Sequence, residues 1–166
     1  ALKAAREGVG FYNKLKQEFP FGEVYISTSD KTNSDNSPFE FEEKKKMIQS
    51  SGIDSSKVEK TKNPYLAQEI INKFNLDEAK LIFAVSEKDM QGDKPRFKFG
   101  KKKDGSNSYF QPFTSIGEAE FASKHAYITT LPTMDFKILG KDIRSASEIR
   151  QLYVNSDDST RRDLIQ

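Results

Sequence analysis

Residues 81–85, Leu-Ile-Phe-Ala-Val, are five consecutive apolar positions bounded by Lys80 and Ser86. A run that short is far below the ~18 apolar residues of a membrane span. It reads as a strand covered on both faces, which is how a strand in a parallel sheet is placed. Such a strand needs helices above and below it, so the rest of the chain must supply them. Capping patterns at intervals do so. Ser37-Pro38-Phe39-Glu40 has a capping serine, proline at the first helical position and a glutamate three residues on. It predicts a helix through EFEEKKKMIQS that stops near Gly52. Asn63-Pro64 repeats the device and opens PYLAQEIINKF, with Leu66, Ile70 and Phe74 four apart on one face and Ala67 and Ile71 beside them. Ser115 with Glu118 predicts a short helix through Ala122, and Ser145 with Glu148 opens EIRQLYV. Residues 2–19 read as a further helix, weakened by Gly8 and Gly10. Strands are expected at 23–27, 57–61, 80–85 and 126–130, with 135–139 a weaker case. Helices alternating with short strands give an α/β layer fold with a mostly parallel sheet and right-handed crossovers.

The 166 residues suit one domain over 1–166. Residues 91–108 are a basic excursion from it, a hairpin or a surface loop, with three Gly and one Pro. The chain has 27 Lys and Arg against 25 Asp and Glu, a net charge of +2. That balance gives no ground for a nucleic-acid partner. Cysteine is absent from the sequence, so disulfides, thiolate nucleophiles and cysteine metal sites are excluded. His125 is the single histidine, and a lone histidine before a strand reads as structural. The first residues show no basic-then-apolar leader, and a cytoplasmic location is expected, with no membrane partner.

In an open parallel sheet, ligands bind beyond the carboxyl ends of strands, at helix starts. Three places qualify. Ser27-Thr28-Ser29-Asp30 follows the first expected strand. Ser86-Glu87-Lys88-Asp89 follows the apolar one. Ser145, Ser147 and Arg150 mark the start of the last expected helix. Free N–H groups, two hydroxyls and a guanidinium suit a phosphate group there. The same Ser145 also suits a plain helix cap, with Arg150 paired to an acid. Lys101-Lys102-Lys103 before Asp104-Gly105 reads as a solvated turn, or as a phosphate or nucleic-acid contact. Glu40, Glu42 and Glu43 read as a solvated helix face, and the 13 Phe and 6 Tyr as core.

The order YISTSD, SPFEFEEKKKMI, GIDSSKVEKTKNPYLAQEIINKF, LIFAVSEKD, SASEIR resembles that of the cytidylyltransferase-like nucleotidyltransferases. The nearest likeness is to small nucleotidyltransferases encoded by phages. SPFEFEEKKKMI is similar to the family's Pro-Phe-Ser-x-x-Glu-Lys stretch. SEKD lies at its Gly-x-Asp turn, and SASEIR resembles its Ser-Ser-Thr-x-Ile-Arg motif with Ser147 at the Thr position. The resemblance covers residues 1–155. It implies a Rossmann-like parallel sheet with flanking helices. It implies transfer of a nucleotidyl group from ATP or CTP to a phosphorylated small-molecule acceptor, with release of pyrophosphate and the help of Mg2+. Ser145, Ser147 and Arg150 would hold the triphosphate. Asp89, Ser86, Arg96 and Ser27 would contact nucleotide or acceptor.

The family's His-x-Gly-His motif, which follows its first strand, is missing from this sequence, and His125 is in the wrong place to supply it. The catalytic residues are therefore unknown. The sheet is expected to lack its first strand and catalytic loop, and an unpaired strand edge in the middle of a sheet is costly. Either the polypeptide is longer, or another segment or a second copy completes the sheet, or the chain is a catalytically inactive nucleotide-binding or virion-associated relative. By itself the chain is expected to be inactive. For a phage protein the expected location is the host cytoplasm or the virion.

Overall fold

The computed structural model describes residues 10–32, 37, 39–132, 136–138, 140–143, 148, 151, 152 and 154–165. Within them the chain is mixed α/β. Helix α1 (Phe11–Glu18) leads to strand β1 (Ile26–Thr28), and helix α2 (Phe41–Gln49) leads through a 3-10 turn at Ser55–Lys57 to β2 (Val58–Lys60). Helix α3 (Gln68–Ile71) precedes β3 (Leu81–Ser86), which runs straight into the short helix α4 (Glu87–Met90). Strands β4 (Phe110–Pro112) and β5 (Ala126–Leu131) follow, then β6 (Phe136–Ile138), β7 (Lys141–Ile143) and helix α5 (Asp158–Ile165). No described helix is long and apolar enough to cross a membrane.

The strands form three groups rather than one sheet. β1 pairs parallel with β2, Ile26 opposite Val58. β5 is the centre of a second sheet and pairs parallel with β3 on one side and β4 on the other. Leu81 and Phe110 both lie opposite Ala126. β6 and β7 make an antiparallel hairpin turned by Gly140, whose φ of +78° favours glycine. The apolar strand β3 therefore pairs on one edge only among the described residues. It is less enclosed than its composition suggests, with one buried residue in six, whereas four of the six in β5 are buried.

Two apolar clusters hold the groups. Phe41, Ile53 and Val58 form the first, with Tyr12, Ile26 and Ile48 against it, so α1 and α2 close on the β1–β2 pair. Val85, Phe97 and Ile128 form the second, with Tyr65, Phe83, Met90 and Phe110 around them. In this second cluster the Phe97 ring meets Phe110 edge-on at 4.9 Å between centroids. The buried Phe97 is what pins the 91–108 excursion to the sheet.

Several expectations are corrected. Helix α2 begins at Phe41, not after Ser37. Its first N–H groups go to acids: Phe41 N donates to Asp30 Oδ1 at 3.0 Å and Glu40 N to Glu43 Oε2 at 2.8 Å. Ser37 Oγ instead donates to the Lys31 carbonyl. The helix expected over 64–74 shrinks to four residues because Ala67 is left-handed, with φ +46°. Asn63 turns the chain before it, its side chain accepting from Tyr65 N at 3.0 Å. The buried face is accordingly Ala67, Ile70 and Ile71, while Leu66 and Phe74 stay partly exposed. At Ser115 the cap forms, with Glu118 N 3.3 Å from the hydroxyl, but only turns follow it up to the bend before β5. The described residues 148, 151, 152 and 154 are helical, as expected there.

Candidate functional site

Two of the residues singled out from the sequence, Asp89 and Arg96, pair just after the carboxyl end of β3, which a third, Ser86, terminates. Ser86 ends the strand, and its Oγ accepts from Lys88 N at 3.3 Å, capping α4. That short helix carries Asp89. The chain then folds back so that Arg96 N donates to the Asp89 carbonyl at 2.8 Å, and Arg96 Nε lies 3.6 Å from Asp89 Oδ1. The guanidinium also sits 4.6 Å from the centre of the Tyr65 ring. Tyr65 was not a sequence candidate. Its signal was there in Asn63-Pro64-Tyr65, which reads as a helix start but in fact aims the ring at Phe97 and Arg96.

The arrangement has a defined chemistry. The Arg96 side chain is about half exposed, so it is reachable from solvent. A guanidinium fixed by an acid on one side and an aromatic face below is pre-oriented for a phosphate or carboxylate. Asp89 is one third exposed and remains an acceptor for hydroxyls or a cation ligand.

Ser27 does not belong to this cluster. Its Oγ lies 2.7 Å from Thr61 Oγ1, across the β1–β2 pair, and the hydroxyl is used there. The carboxyl end of that pair is closed by its own charges. Lys60 forms an ion pair with Asp30, and Lys44 Nζ donates to the Ser29 carbonyl at 2.8 Å. The hydrogen bond from Lys60, aided by the Phe41 N–H, holds the Asp30 carboxyl below the usual aspartate range. An acid of the chain itself thus occupies the start of α2, where an anion would otherwise bind.

Ser145, Ser147 and Arg150 lie outside the described residues. His125 is structural in its contacts: Nδ1 is 3.3 Å from the Tyr109 carbonyl and Nε2 is 3.6 Å from Glu120. Lys124 beside it holds the Glu120 carboxyl below its ordinary value. Among the described residues no three His, Asp or Glu side chains gather as a metal cage. No protein-family model, curated protein or solved structure matches the chain.

Proposed function

We propose that this chain is a nucleotide-binding α/β domain of the nucleotidyltransferase type. The observation that carries the reading is the Asp89–Arg96 pair, which follows the carboxyl end of an apolar parallel strand where Ser86 caps the next short helix. That is where open α/β sheets place their ligands. In this reading the β1–β2 pair and the β3–β5–β4 sheet are parts of one Rossmann-like sheet. The strand between them comes from another segment or a second copy. Ser145, Ser147 and Arg150 hold the triphosphate of ATP or CTP. Arg96 holds an anionic oxygen of the nucleotide or of a phosphorylated acceptor, and Asp89 fixes the guanidinium. An acceptor oxygen attacks the α-phosphorus, the α–β anhydride bond breaks, and pyrophosphate leaves with the electron pair. Charge neutralisation by positioned cations is the main service a protein can give such a step. Among the described residues no three acids or histidines gather to hold magnesium and Asp89 is engaged by Arg96, so the ion would be carried by the triphosphate oxygens and would neutralise their charge. The absence of a His-x-Gly-His motif favours a second reading, binding without turnover, in a cytoplasmic or virion-associated protein.

Calorimetry with ATP and with CTP, each with magnesium, tests binding. The expected result is saturable heat with at least one nucleotide, weakened about tenfold or more in Arg96→Ala by loss of a charge-assisted contact. Arg150→Ala should weaken it similarly. No heat with either nucleotide would refute the reading. Pyrophosphate release with a phosphorylated acceptor separates an active enzyme from the binding-only relative.

A further inference from the structure

Residues 94–103 contain six cations and no acid, in a chain whose net charge is only +2. The remainder of the chain is therefore net negative, and the positive charge is concentrated on one excursion. The fold makes that excursion a stiff projection. Lys101 pairs with Asn107 in an antiparallel bridge, Lys102 N donates to the Ser106 carbonyl at 2.7 Å, and Ser108 N donates to the Gly100 carbonyl at 2.8 Å. Gly105, with φ +83°, and the Asp104 side chain, which accepts from Ser106 N, close the turn. Phe97 roots the base of the projection in the aromatic cluster. Elsewhere Lys57, Lys60, Lys73 and Lys124 each form an ion pair with an acid. On the projection Lys94, Lys98, Lys101 and Lys103 are exposed and form no ion pair among the described residues. Phe99 stands among them with 42% of its surface exposed.

We infer that this projection binds single-stranded nucleic acid. Lysines without acid partners meet the phosphates, and the exposed Phe99 ring stacks on a base. A stacking ring needs an unpaired base, which selects a single strand over a duplex. One exposed ring among five lysines is too little apolar surface to enter a bilayer, since Phe97 points inward. The balance of charge over the whole chain conceals this surface because acids elsewhere cancel it. The inference does not rest on the nucleotidyltransferase reading, and its residues are separate from Asp89 and Arg96.

The test is fluorescence anisotropy with a labelled oligothymidylate. With about four phosphates neutralised, by Lys94, Lys98, Lys101 and Lys103, affinity should fall about 50-fold between 50 and 200 mM salt. In K101A/K102A/K103A two of those contacts remain, so the same change of salt should cost about sevenfold. Phe99→Ala should bind roughly tenfold more weakly with an unchanged salt dependence, because stacking and not charge is lost. All four side chains are exposed, so the variants should keep the wild-type unfolding midpoint. No anisotropy change at the lower salt would overturn the inference, as would a triple variant with wild-type affinity. Tighter binding to phosphatidylserine vesicles than to oligothymidylate would also overturn it, and would assign the surface to a membrane. Phe99→Ala binding with wild-type affinity would reduce the surface to a plain polyanion contact and would likewise overturn it.

Discussion

Phe97→Ala is the perturbation that best measures how the 91–108 excursion is held. Phe97 is 5% exposed and packs with Val85 and Ile128. Its ring meets three others: Phe110 at 4.9 Å, Phe83 at 6.1 Å and Tyr65 at 6.2 Å between centroids. Buried phenylalanine truncations cost about 3–5 kcal/mol, and the spread depends on how far the surroundings collapse. Collapse is restricted here because Val85 and Ile128 are fixed by the β3–β5 pairing and three of the other neighbours are stiff rings, with Met90 the one flexible side chain. The two edge-on pairs, with Phe110 and Tyr65, each add roughly 0.5–1.5 kcal/mol beyond burial. The expected loss is therefore about 4 kcal/mol, the middle of the range after allowing for the partly buried neighbours. Urea unfolding should show it as a midpoint lowered by about 2 M at an unchanged m-value near 2 kcal/mol/M. Thermal unfolding should fall by about 12 °C for a chain of this length. Phe97→Leu should lose roughly half as much, since it keeps much of the apolar volume. A loss below about 1 kcal/mol for the alanine variant would refute the assignment of Phe97 to the core. Rapid tryptic cleavage at Lys101–Lys103 with an unchanged midpoint would show a loop that detaches on its own, and would refute it equally.

The remaining predictions concern the other elements. Thr61 is 2% exposed and bonded to Ser27, so Thr61→Val should cost about 1 kcal/mol in urea unfolding. The double variant S27A/T61V should cost less than the two single variants added together; full additivity would mean the hydroxyls do not interact. The Asp30 carboxyl titrates lower in the folded chain than its ordinary 3.8, through Lys60 and then the Phe41 N–H. Its contribution is therefore complete above that ordinary value and disappears as pH falls through the lower folded one. Between neutral pH and pH about 3, the wild type should lose more stability than Asp30→Asn, and equal losses would remove Asp30 from the account. Gly105→Ala should cost about 1 kcal/mol and loosen the hairpin, because alanine resists a positive φ. Unchanged amide-exchange protection at Lys102 and Ser108 in that variant would contradict the turn.

What could be read from the sequence followed strong local patterns. The apolar run 81–85 and the segment from Ala126 onward are strands because β-branched and aromatic residues fill them and nothing interrupts them. Where two residues compete for one role, the sequence alone misleads. Ser37 reads as the cap of α2 with Glu40 as its partner, but Glu40 itself stands at the cap, exchanging bonds with Glu43, and Asp30, eleven residues before Phe41, accepts from the Phe41 N–H. No local pattern reveals that Ala67 turns left-handed and cuts the expected helix to four residues. β4 was missed because Gln111 and Pro112 read as loop, yet Phe110 is paired opposite Ala126 by contacts from distant parts of the chain. The helix α5 did carry a readable signal, since Asp157 accepts from Thr160 N at 2.8 Å as a cap would. At the site, Ser86 and Asp89 were legible as residues that follow the apolar strand, but the cap Ser86 makes was not. The Asp89–Arg96 ion pair and the Tyr65 ring beneath it required the fold.

If both proposals hold, the excursion serves the two proposed surfaces through different side chains. Arg96 and Phe97 are adjacent, but one faces Asp89 at the end of β3 and the other enters the core. Beyond them the direction changes, and Lys98 to Lys103 run outward to a turn closed by Gly105. Anchoring by Phe97 is common to both surfaces, so its loss should impair nucleotide and oligothymidylate binding together. Loss of Arg96 removes a contact at the mouth of β3 and leaves the five lysines and Phe99 in place. Loss of Lys101, Lys102 and Lys103 does the reverse. Charge reversal at the turn lies beyond the Arg96–Asp89 pair, and the ring of Tyr65 together with the Arg96 N–H bond to Asp89 holds that pair independently of the hairpin. The two surfaces are thus separable by single-site chemistry although one ring supports both.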